Sequence, residues 1–345
     1  MPYELLGPEH LGANEDVSQT PVVQVMLDRA KAGSRRYERD DGYSVALAIE
    51  GGGTAGIVPA GMCTAMEKLG LIQTVDKIYG TSAGALDGVY TASGQAAEGT
   101  TNYVDLMLNP AFFSLKRLFL PGPAAADFGY LIDDRIAKQN PIDVQALLSE
   151  GPEFAAVSVN LNTMAAEVLE NFSDHPDRLA AIHASCSMPV LSGRKPFTYR
   201  GRPMTDGAML SAVPVAEALA GGATHVLALR SRGANYRKGP YSQREIRFTR
   251  YYAQMGAKLA SLLEGRPDIY NKAAEELQRG ELPNVTQFVP EADEPVAQFE
   301  ESLARAHYGF KLGALAVAKA FGVPDAIRVS WDPIPVSSPV IAVVT

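Results

Sequence analysis

The 345 residues carry a formal net charge of −8, and 46% of them are hydrophobic, which is enough apolar material for a large folded core. The acidic balance argues against nucleic acid as a partner. Two cysteines, Cys63 and Cys186, cannot form a disulfide framework and predict buried free thiols in a reducing compartment. The N-terminus has no signal-peptide pattern, and no apolar run is long enough to span a bilayer, so we expect a cytoplasmic protein without a membrane-spanning segment.

The first elements in chain order predict an α/β protein. Residues 1–42 form an N-terminal extension with one short helix near residues 21–33. A short apolar run at 43–50 is typical of a buried parallel strand, and a glycine-rich loop and a helix follow it. A second strand at 76–79 ends in a sharp turn that leads into another helix. This order predicts a three-layer α/β/α fold with a mainly parallel central sheet.

The later elements continue this pattern less regularly. Between residues 96 and 231 the patterns predict helices over 96–150, a strand pair at 153–161 and 165–172, a helix at 176–187, a strand pair within 197–207, a helix from 214 and a strand at 225–230. After residue 231 they predict helices over 242–265, 267–279 and 300–321, then strands near 327–331 and 340–344. We expect the 232–345 region to pack on the same domain.

Residues 80–84, Gly-Thr-Ser-Ala-Gly, fit the G-x-S-x-G pattern of a nucleophile elbow. In such an elbow a sharp strand-to-helix turn exposes the serine oxygen, and only small residues such as Gly80 and Gly84 fit beside it. The following helix directs its N-terminal dipole at the site, which favours developing negative charge. A purely structural glycine turn is the alternative. The strand before the turn and the helix after it favour Ser82 as a nucleophile.

A second glycine loop, containing Gly51, Gly52 and Gly53, also lies between a strand and a helix. Backbone N–H groups of such a loop can stabilise an oxyanion. The same loop matches G-x-G-x-x-G through Gly56, and Asp76 stands about 20 residues further on, as a nucleotide-binding loop requires. Nucleotide binding is therefore an alternative, although it gives no role to the serine of the elbow.

Five segments in order, EGGGTAGIVPAG, GTSAG, VSVNLNTMAAEVLENF, HASCSMPV and TDGA, resemble the motifs of the patatin-like phospholipases. The resemblance covers residues 43–231 and marks them as a patatin-like catalytic core. It implies a catalytic dyad in which Ser82 attacks an ester carbonyl and Asp206, in TDGA, takes its proton. It also implies that the three loop glycines form the oxyanion hole and that the substrate is a lipid or another long-chain ester.

The chain departs from the family pattern at two positions. Ala55 stands where the family usually has Arg or Lys, and Ala212 stands where it often has Asn. Both departures leave the headgroup selectivity open. The alternatives are a thioesterase or small-ester hydrolase with the same dyad, and a catalytically inactive module that binds lipid or nucleotide. No metal-binding spacing occurs, so we expect no metal and no cofactor.

A Ser–His–Asp triad is a further alternative, because His225 and His307 follow Asp206 in the order of the α/β-hydrolases. His225 opens an apolar strand, and His307 lies in a helical segment beside apolar residues. The same holds for His183. We therefore expect packing roles for these three histidines and near-normal activity after replacement of His225 or His307.

Two segments suit peripheral contact with a membrane, and each also fits an ordinary role in the folded protein. Residues 112–122, FFSLKRLFLPG, combine bulky apolar side chains with two basic residues and predict a lid or a membrane-touching helix. The second segment, residues 230–250, has Glu245 as its one acidic residue. Its basic residues are Arg230, Arg232, Arg237, Lys238, Arg244, Arg247 and Arg250.

Overall fold

The computed structural model describes residues 20–119, 124–149, 151–324, 327–330 and 340–343. In that part of the chain eight strands form the main sheet: β1 (Val45–Ile49), β2 (Lys77–Thr81), β3 (Glu153–Asn160), β4 (Ala165–Leu169), β5 (Phe197–Tyr199), β6 (Arg202–Asp206), β7 (His225–Leu229) and β8 (Val285–Phe288). A separate antiparallel pair consists of β9 (Ile327–Ser330) and β10 (Val340–Val343).

Helices occupy most of the chain between the strands. Those in the described residues are α1 (Pro21–Lys31), α2 (Ile57–Lys68), α3 (Ala83–Ala92), α4 (Ala96–Gly99), α5 (Thr101–Leu108), α6 (Val144–Ser149), α7 (His175–Cys186), α8 (Val215–Ala220), α9 (Gln243–Tyr252), α10 (Gly256–Arg279) and α11 (Leu303–Ala320), with a π-helix over Tyr130–Gln139. Among these described helices, none combines the length and the apolar content that crossing a bilayer requires.

Strand β1 shows why the sheet has two buried faces. Because successive side chains of a strand point to opposite faces, Val45, Leu47 and Ile49 enter the core that α2, α3, α7 and α11 cover. Ala46 and Ala48 enter a second core, covered by residues of α8 and α10. The predicted three-layer α/β/α fold is confirmed, and the predicted mainly parallel centre is found in β3, β2, β1, β7 and β8.

The strand order brings two strand ends together beside β3. Strand β2 runs parallel to the first half of β3, up to the pair Thr81 and Val157. Strand β6 runs antiparallel to the second half, up to the pair Asp206 and Ser158. Strand β4 occupies the opposite edge of β3, so β2 and β6 share one edge and their carboxyl ends meet head to head.

The predicted helix boundary at residues 265–267 is wrong. Helix α10 continues through Pro267, and the break lies earlier, between α9 and α10. There Met255 adopts a left-handed φ of 60°, and the N–H of Gln254 leaves the helical pattern to donate to the carbonyl oxygen of Arg194, 2.6 Å away. A tertiary contact therefore ends α9, while a proline that local propensity treats as a breaker lies within α10.

Strand β8 was not among the predicted elements. It has four residues, Val-Thr-Gln-Phe, which is too short a run for a clear alternating pattern. It pairs in parallel with β7 and makes the region after residue 231 part of the main sheet.

Candidate active site

The turn between β2 and α3 places Ser82 at its apex with φ 55° and ψ −124°, a backbone conformation that non-glycine residues rarely adopt. A Cβ at Gly80 would lie 2.2 Å from the carbonyl oxygen of Gly84, and a Cβ at Gly84 would lie 2.3 Å from that of Ile49. Both flanking positions therefore require glycine, because the backbone of the turn packs directly on itself and on β1.

The side chains of Ser82 and Asp206 are in direct contact. The Ser82 hydroxyl donates a hydrogen bond to Oδ2 of Asp206 over 2.7 Å, and Oδ1 accepts the backbone N–H of Ala208 over 2.8 Å. Ser82 is 6% exposed and Asp206 is 2% exposed. The N–H of Ser82 donates to the Ser185 hydroxyl, 2.8 Å away, which fixes the turn against α7. The structure thus brings together the two side chains that the sequence predicted to act together.

The environment of Asp206 disfavours its charge. Burial raises the pKa of this carboxyl above its usual range, and the positive charge of Arg266 is the largest effect that opposes the rise. The hydrogen bonds from Ser82 and Ala208 and the charge of Lys238 oppose it further. A carboxylate with a raised pKa is a stronger base than a free aspartate, which suits proton transfer near neutral pH.

Arg266, on α10, is a site residue that the sequence analysis missed. Its Nε donates to the carbonyl oxygen of Ala208 over 2.8 Å, and its Nη1 donates to the Tyr241 hydroxyl. It is 5% exposed, and among the described residues no carboxylate lies within 4.0 Å of it. Burial, Arg266 and Arg232 lower the pKa of the nearby Lys238 to about 8. No local motif surrounds Arg266, so only the fold reveals its position.

The three loop glycines differ in how their N–H groups are used. Gly51 donates its N–H to the carbonyl oxygen of Ala212, 3.1 Å away, so this donor is occupied. Among the described residues we find no hydrogen-bond acceptor for the N–H of Gly52 or of Gly53. A Cβ at Gly51 would lie 2.9 Å from the Cβ of Ser82, so the loop packs against the elbow. Gly52 and Gly53 are therefore the free donors of the predicted oxyanion hole.

Glu50, at the end of β1, anchors the glycine loop through a buried polar cluster. Its Oε2 accepts Nε of Arg230 over 2.9 Å and the N–H of Ser231 over 2.7 Å, and its Oε1 accepts the Tyr270 hydroxyl over 2.7 Å. Arg230 also donates to the side chain of Gln287, 2.8 Å away. The Glu50 and Arg230 side chains are each 1% exposed. Since each charge is paired and hydrogen-bonded, the cluster holds the base of the loop in one position.

A second attachment joins the other end of the loop to the segment before α11. Thr54 donates its N–H to the carbonyl oxygen of Gln298 over 3.0 Å, and its hydroxyl donates to that of Ala297 over 2.9 Å. The same hydroxyl accepts the N–H of Glu300 over 2.8 Å. Gly53 packs so closely here that a Cβ would lie 2.5 Å from the Gln298 oxygen. The segment of residues 297–301 is therefore fixed beside the free N–H donors.

An apolar cavity reaches Ser82 and Gly53 and is bordered by residues of α3, α5 and α7. It contains about 740 Å³ of space free of protein atoms, part of it open to solvent. Its walls include Leu86, Tyr103, Leu106, Met107, Phe112, Phe113, Ala126, Phe128, Leu131, Met188 and Phe299. The rings of Phe113 and Phe299 stack with centroids 5.3 Å apart, so they join two walls of the cavity. The predicted 112–122 segment contributes Phe112 and Phe113 to these walls, while residues 120–122 lie outside the described residues.

The histidines of the triad alternative lie elsewhere. His225 stands at the amino end of β7, where its Nδ1 is 2.9 Å from the Thr224 hydroxyl, whereas the site lies at the carboxyl ends of the parallel strands. His183 stacks on the Phe197 ring with centroids 3.9 Å apart, and His307 lies on α11. In the ranges that the structure covers, no hydrogen bond joins a histidine to the Ser82–Asp206 pair.

Asp76, the acidic partner of the nucleotide alternative, lies at the wrong end of the sheet. Its carboxylate forms an ion pair with Arg29 over 2.7 Å and accepts the N–H of Val45, at the amino end of β1, over 2.8 Å. The glycine loop follows the carboxyl end of β1, so Asp76 cannot serve a ligand bound there. Across the described ranges, no three His, Cys, Asp or Glu side chains are grouped as metal ligands.

These features define the class of the protein, an α/β fold with a strand–turn–helix serine and an adjoining buried carboxylate. Residues 47–219 match the model of a family described as Patatin-like phospholipase. The match covers half of the 345 residues, and the chain belongs to this family. Membership supports lipid acyl hydrolysis at the level of the family.

Solved structures show more distant similarity. The structure of VipD from Legionella pneumophila is 15% identical, with a TM-score of 0.44, and the match covers 81% of this chain and 67% of that one. Two structures of human GIVD cytosolic phospholipase A2 with methyl gamma-linolenyl fluorophosphonate, one also with terbium chloride, are 11% identical, with TM-scores of 0.37 and 0.39. Those matches cover 89% and 93% of this chain but 62% and 65% of the human chains, which is less than two thirds. No curated protein sequence matches this chain.

Proposed function

We propose that this protein is a serine acyl hydrolase that cleaves acyl esters of lipids through an acyl-enzyme on Ser82. The observation that carries the proposal is the 2.7 Å hydrogen bond between Ser82 and Asp206 at one end of an apolar cavity. A nucleophile in contact with its base, beside free backbone N–H groups, is the arrangement that acyl transfer requires.

In the acylation step, Ser82 Oγ attacks the ester carbonyl carbon while Asp206 takes the hydroxyl proton. The carbonyl oxygen becomes an oxyanion, which the N–H groups of Gly52 and Gly53 stabilise, with Gly51 holding the loop in place through Ala212. The tetrahedral intermediate then expels the alcohol of the substrate, which receives the proton from Asp206. The acyl group remains bound to Ser82 as an ester.

In the deacylation step, a water molecule takes the position that the alcohol has left. Asp206 accepts a proton from this water as the oxygen attacks the acyl carbon, and the same two glycines stabilise the second oxyanion. When the intermediate collapses, the Ser82 oxygen leaves and recovers its proton from Asp206. The product is a free carboxylic acid, and both side chains return to their initial states.

The cavity supports a long acyl chain as the part of the substrate that is recognised. Its wall is formed mainly by leucine, methionine and phenylalanine side chains, which bind methylene groups without directional contacts. Ala55 is fully buried in the turn after the loop and offers no charge to a headgroup. A thioesterase or small-ester hydrolase would use the same pair of residues, so the preferred substrate is what distinguishes it from a lipid hydrolase.

The setting of the reaction forms part of the same proposal. A lipid substrate in a bilayer brings the enzyme to the membrane periphery, and we propose such contact for this protein. The cytoplasmic location expected from the sequence stays a prediction. Both cysteines are buried free thiols, which is consistent with a reducing compartment.

A fluorophosphonate probe tests the nucleophile, because it reacts covalently with activated serines. We expect labelling of the wild type and none of Ser82→Ala or Asp206→Asn. Ser93→Ala is the matched control: this buried serine directly follows α3, its hydroxyl donates to the Tyr90 carbonyl oxygen, and it lies at the opposite end of the helix from the site. Equal labelling of Ser82→Ala and the wild type would remove Ser82 from the mechanism.

A panel of p-nitrophenyl esters, acyl thioesters and phospholipids then identifies the substrate class. The proposal predicts a rise in kcat/KM with acyl length and release of free fatty acid from phospholipid. A preference for acetate or butyrate esters with no phospholipid cleavage would favour the small-ester alternative. Absence of turnover and labelling in a folded wild type would leave only a binding role.

A further inference from the structure

Helix α9 is attached to the rest of the protein by a narrow strip. Of its ten residues, only Ile246 and Thr249 are buried. Its start is fixed by a capping box, in which the Ser242 hydroxyl accepts the N–H of Glu245 and the Glu245 carboxylate accepts the N–H of Ser242 over 2.8 Å. The helix is thus well defined at its start but leaves most of its circumference uncovered.

The uncovered side of α9 combines cations with large aromatic rings. Tyr251 is 83% exposed and Phe248 is 41% exposed, and Arg244 and Arg247 are exposed beside them. A nearby arginine, Arg250, lies 3.4 Å from Glu264 of α10.

Arg244 and Arg247 have no such partner, since in the described part of the chain no carboxylate lies within 4.0 Å of either. The one acidic residue of α9, Glu245, is engaged in the capping box. A local positive surface in a protein with a net charge of −8 favours an anionic partner. Exposed aromatic rings next to arginines are characteristic of surfaces that rest in the headgroup layer of a bilayer.

A single loop connects α9 with the wall of the apolar cavity. Arg194 donates from Nε to the carbonyl oxygen of Tyr252 over 3.0 Å and accepts the N–H of Gln254 over 2.6 Å. In the same loop, Leu191 accepts the N–H of Ala126 over 2.8 Å, and Ala126 lines the cavity. This loop therefore joins the carboxyl end of α9 to the wall of the apolar cavity.

We infer that α9 is the surface by which this protein binds an anionic lipid bilayer, with Arg244 and Arg247 contacting lipid phosphates and Phe248 and Tyr251 entering the headgroup layer. The inference rests on the proposed function, since it gives the acyl cavity access to lipid. Charge complementarity selects the anionic bilayer, because a bilayer of zwitterionic lipids has no net negative surface potential to attract the two arginines.

Vesicle flotation tests this surface without hydrolysis if the lipids carry ether-linked chains. The wild type should float with phosphatidylcholine vesicles that contain phosphatidylglycerol and remain unbound to phosphatidylcholine alone, and added salt should weaken the binding. The double variants Arg244→Glu/Arg247→Glu and Phe248→Ser/Tyr251→Ser should each partition at least about tenfold less. Thermal unfolding checks that both variants fold. If charge reversal disturbs the helix, the flotation of Phe248→Ser/Tyr251→Ser still tests the surface.

A matched control replaces a basic and an aromatic residue on another surface. Lys31 and Tyr37 are exposed, Tyr37 at 71%, and they lie near the amino ends of the parallel strands, away from the site. Lys31→Glu/Tyr37→Ser should float like the wild type. Equal flotation of the α9 variants and this control, or equal binding to neutral and anionic vesicles, would overturn the inference.

Fluorophosphonate labelling separates this inference from the proposed function. The α9 variants should label like the wild type and hydrolyse soluble p-nitrophenyl butyrate at an unchanged rate. Loss of flotation with labelling retained supports both proposals. If the wild type fails to label while the α9 variants still lose flotation, the binding surface stands and the proposed hydrolase does not.

Discussion

The carboxylate of Asp206 reaches the hydroxyl of Ser82 because two strands end against each other along a third. Thr81, the residue before the serine, pairs with Val157 of β3, and Asp206 pairs with Ser158, the next residue of β3. The 2.7 Å contact between residues 124 positions apart in the chain follows from this register. The carboxylate of Asp206 therefore contacts the serine hydroxyl directly, with no imidazole between them.

Replacement of the base should separate catalysis from stability. Asp206→Asn keeps the side-chain shape and removes the proton acceptor, so we expect kcat/KM for p-nitrophenyl butyrate to fall by about 10²–10⁴-fold. The fold should survive because an amide can still accept the N–H of Ala208 and donate to Ser82. Circular dichroism of the variant checks the fold, and near-normal turnover would exclude Asp206 as the base.

The stability of the same variant follows from the sign of the pKa change. The folded state raises the pKa of Asp206 above the ordinary value of 3.8, so between these two pKa values the folded protein holds a proton that the unfolded chain releases. Stability therefore falls as the pH rises through this window, because the folded state disfavours the ionised carboxylate. Asp206→Asn should unfold at pH 7 at a temperature equal to or above that of the wild type. A markedly lower Tm would show that the carboxylate stabilises the protein.

The backbone at Ser82 should store measurable strain. Ser82→Ala and Ser82→Gly both remove the nucleophile and its hydrogen bond, but only glycine adopts φ 55° without a steric penalty. We expect Ser82→Gly to exceed Ser82→Ala in free energy of unfolding by about 1 kcal/mol. Urea titrations of the two inactive variants measure this difference directly. An alanine variant as stable as the glycine variant would mean that the turn relaxes once the hydroxyl is gone.

Arg266 should set the acid limb of the pH profile. Its charge lowers the pKa of Asp206 against the effect of burial, so Arg266→Gln should raise that pKa and move the acid limb of kcat/KM to higher pH. Arg266→Lys should bring the acid limb part of the way back toward that of the wild type, because lysine keeps the charge and loses one hydrogen bond. Arg279→Gln, an exposed position on the same helix, is the control and should leave the profile unchanged.

The other groups that face Asp206 do not change the direction of the pKa shift expected in Arg266→Gln. They are the Ser82 hydroxyl, the Ala208 N–H, the Lys238 ammonium and the Cys186 thiol. Burial raises the pKa of Cys186 well above its usual range, so the thiol stays neutral. Lys238 has a pKa near 8 and is charged throughout the acid limb. An unchanged acid limb in Arg266→Gln, measured together with a normal Tm, would contradict the electrostatic role.

Partial filling of the apolar cavity should shorten the preferred substrate. Ala126 is buried in the cavity wall, and Ala126→Leu places three more carbon atoms there. We expect kcat/KM for p-nitrophenyl palmitate to fall roughly tenfold, while the butyrate ester in the same variant serves as the internal control and keeps its rate. A parallel loss on both esters would point to distortion of the site by overpacking.

Local signals were sufficient for the elbow and the glycine loop. Gly80, Ser82 and Gly84 are adjacent in sequence, and the geometry that requires them is set within one strand–turn–helix unit. The parallel centre of the sheet was likewise predictable, because β1 and β7 are short apolar runs and β2 leads directly into the elbow. Asp206 was identified only through the order of the family motifs, since an Asp-Gly pair alone is typical of any turn.

The remaining parts of the site depend on contacts across the fold. Arg266 reaches Ala208 from a helix that begins 48 residues later in the chain, at Gly256, and no pattern in the sequence marks that arginine. The use of the Gly51 N–H by Ala212 depends on the packing of two loops. The predicted helix boundary at Pro267 was wrong, and the actual end of α9 depends on the contact between Gln254 and Arg194, which lies far away in the sequence.

The buried carboxylate at Glu50 determines how far the chain can be shortened. Two of its partners, Arg230 and Tyr270, lie beyond residue 219, where the family match ends. A fragment limited to residues 47–219 would leave that acid without the cation and the phenol that pair with it, at the base of the glycine loop. The segment that matches the family model therefore depends on residues beyond 219, which supply the partners that hold Glu50 at the base of the glycine loop.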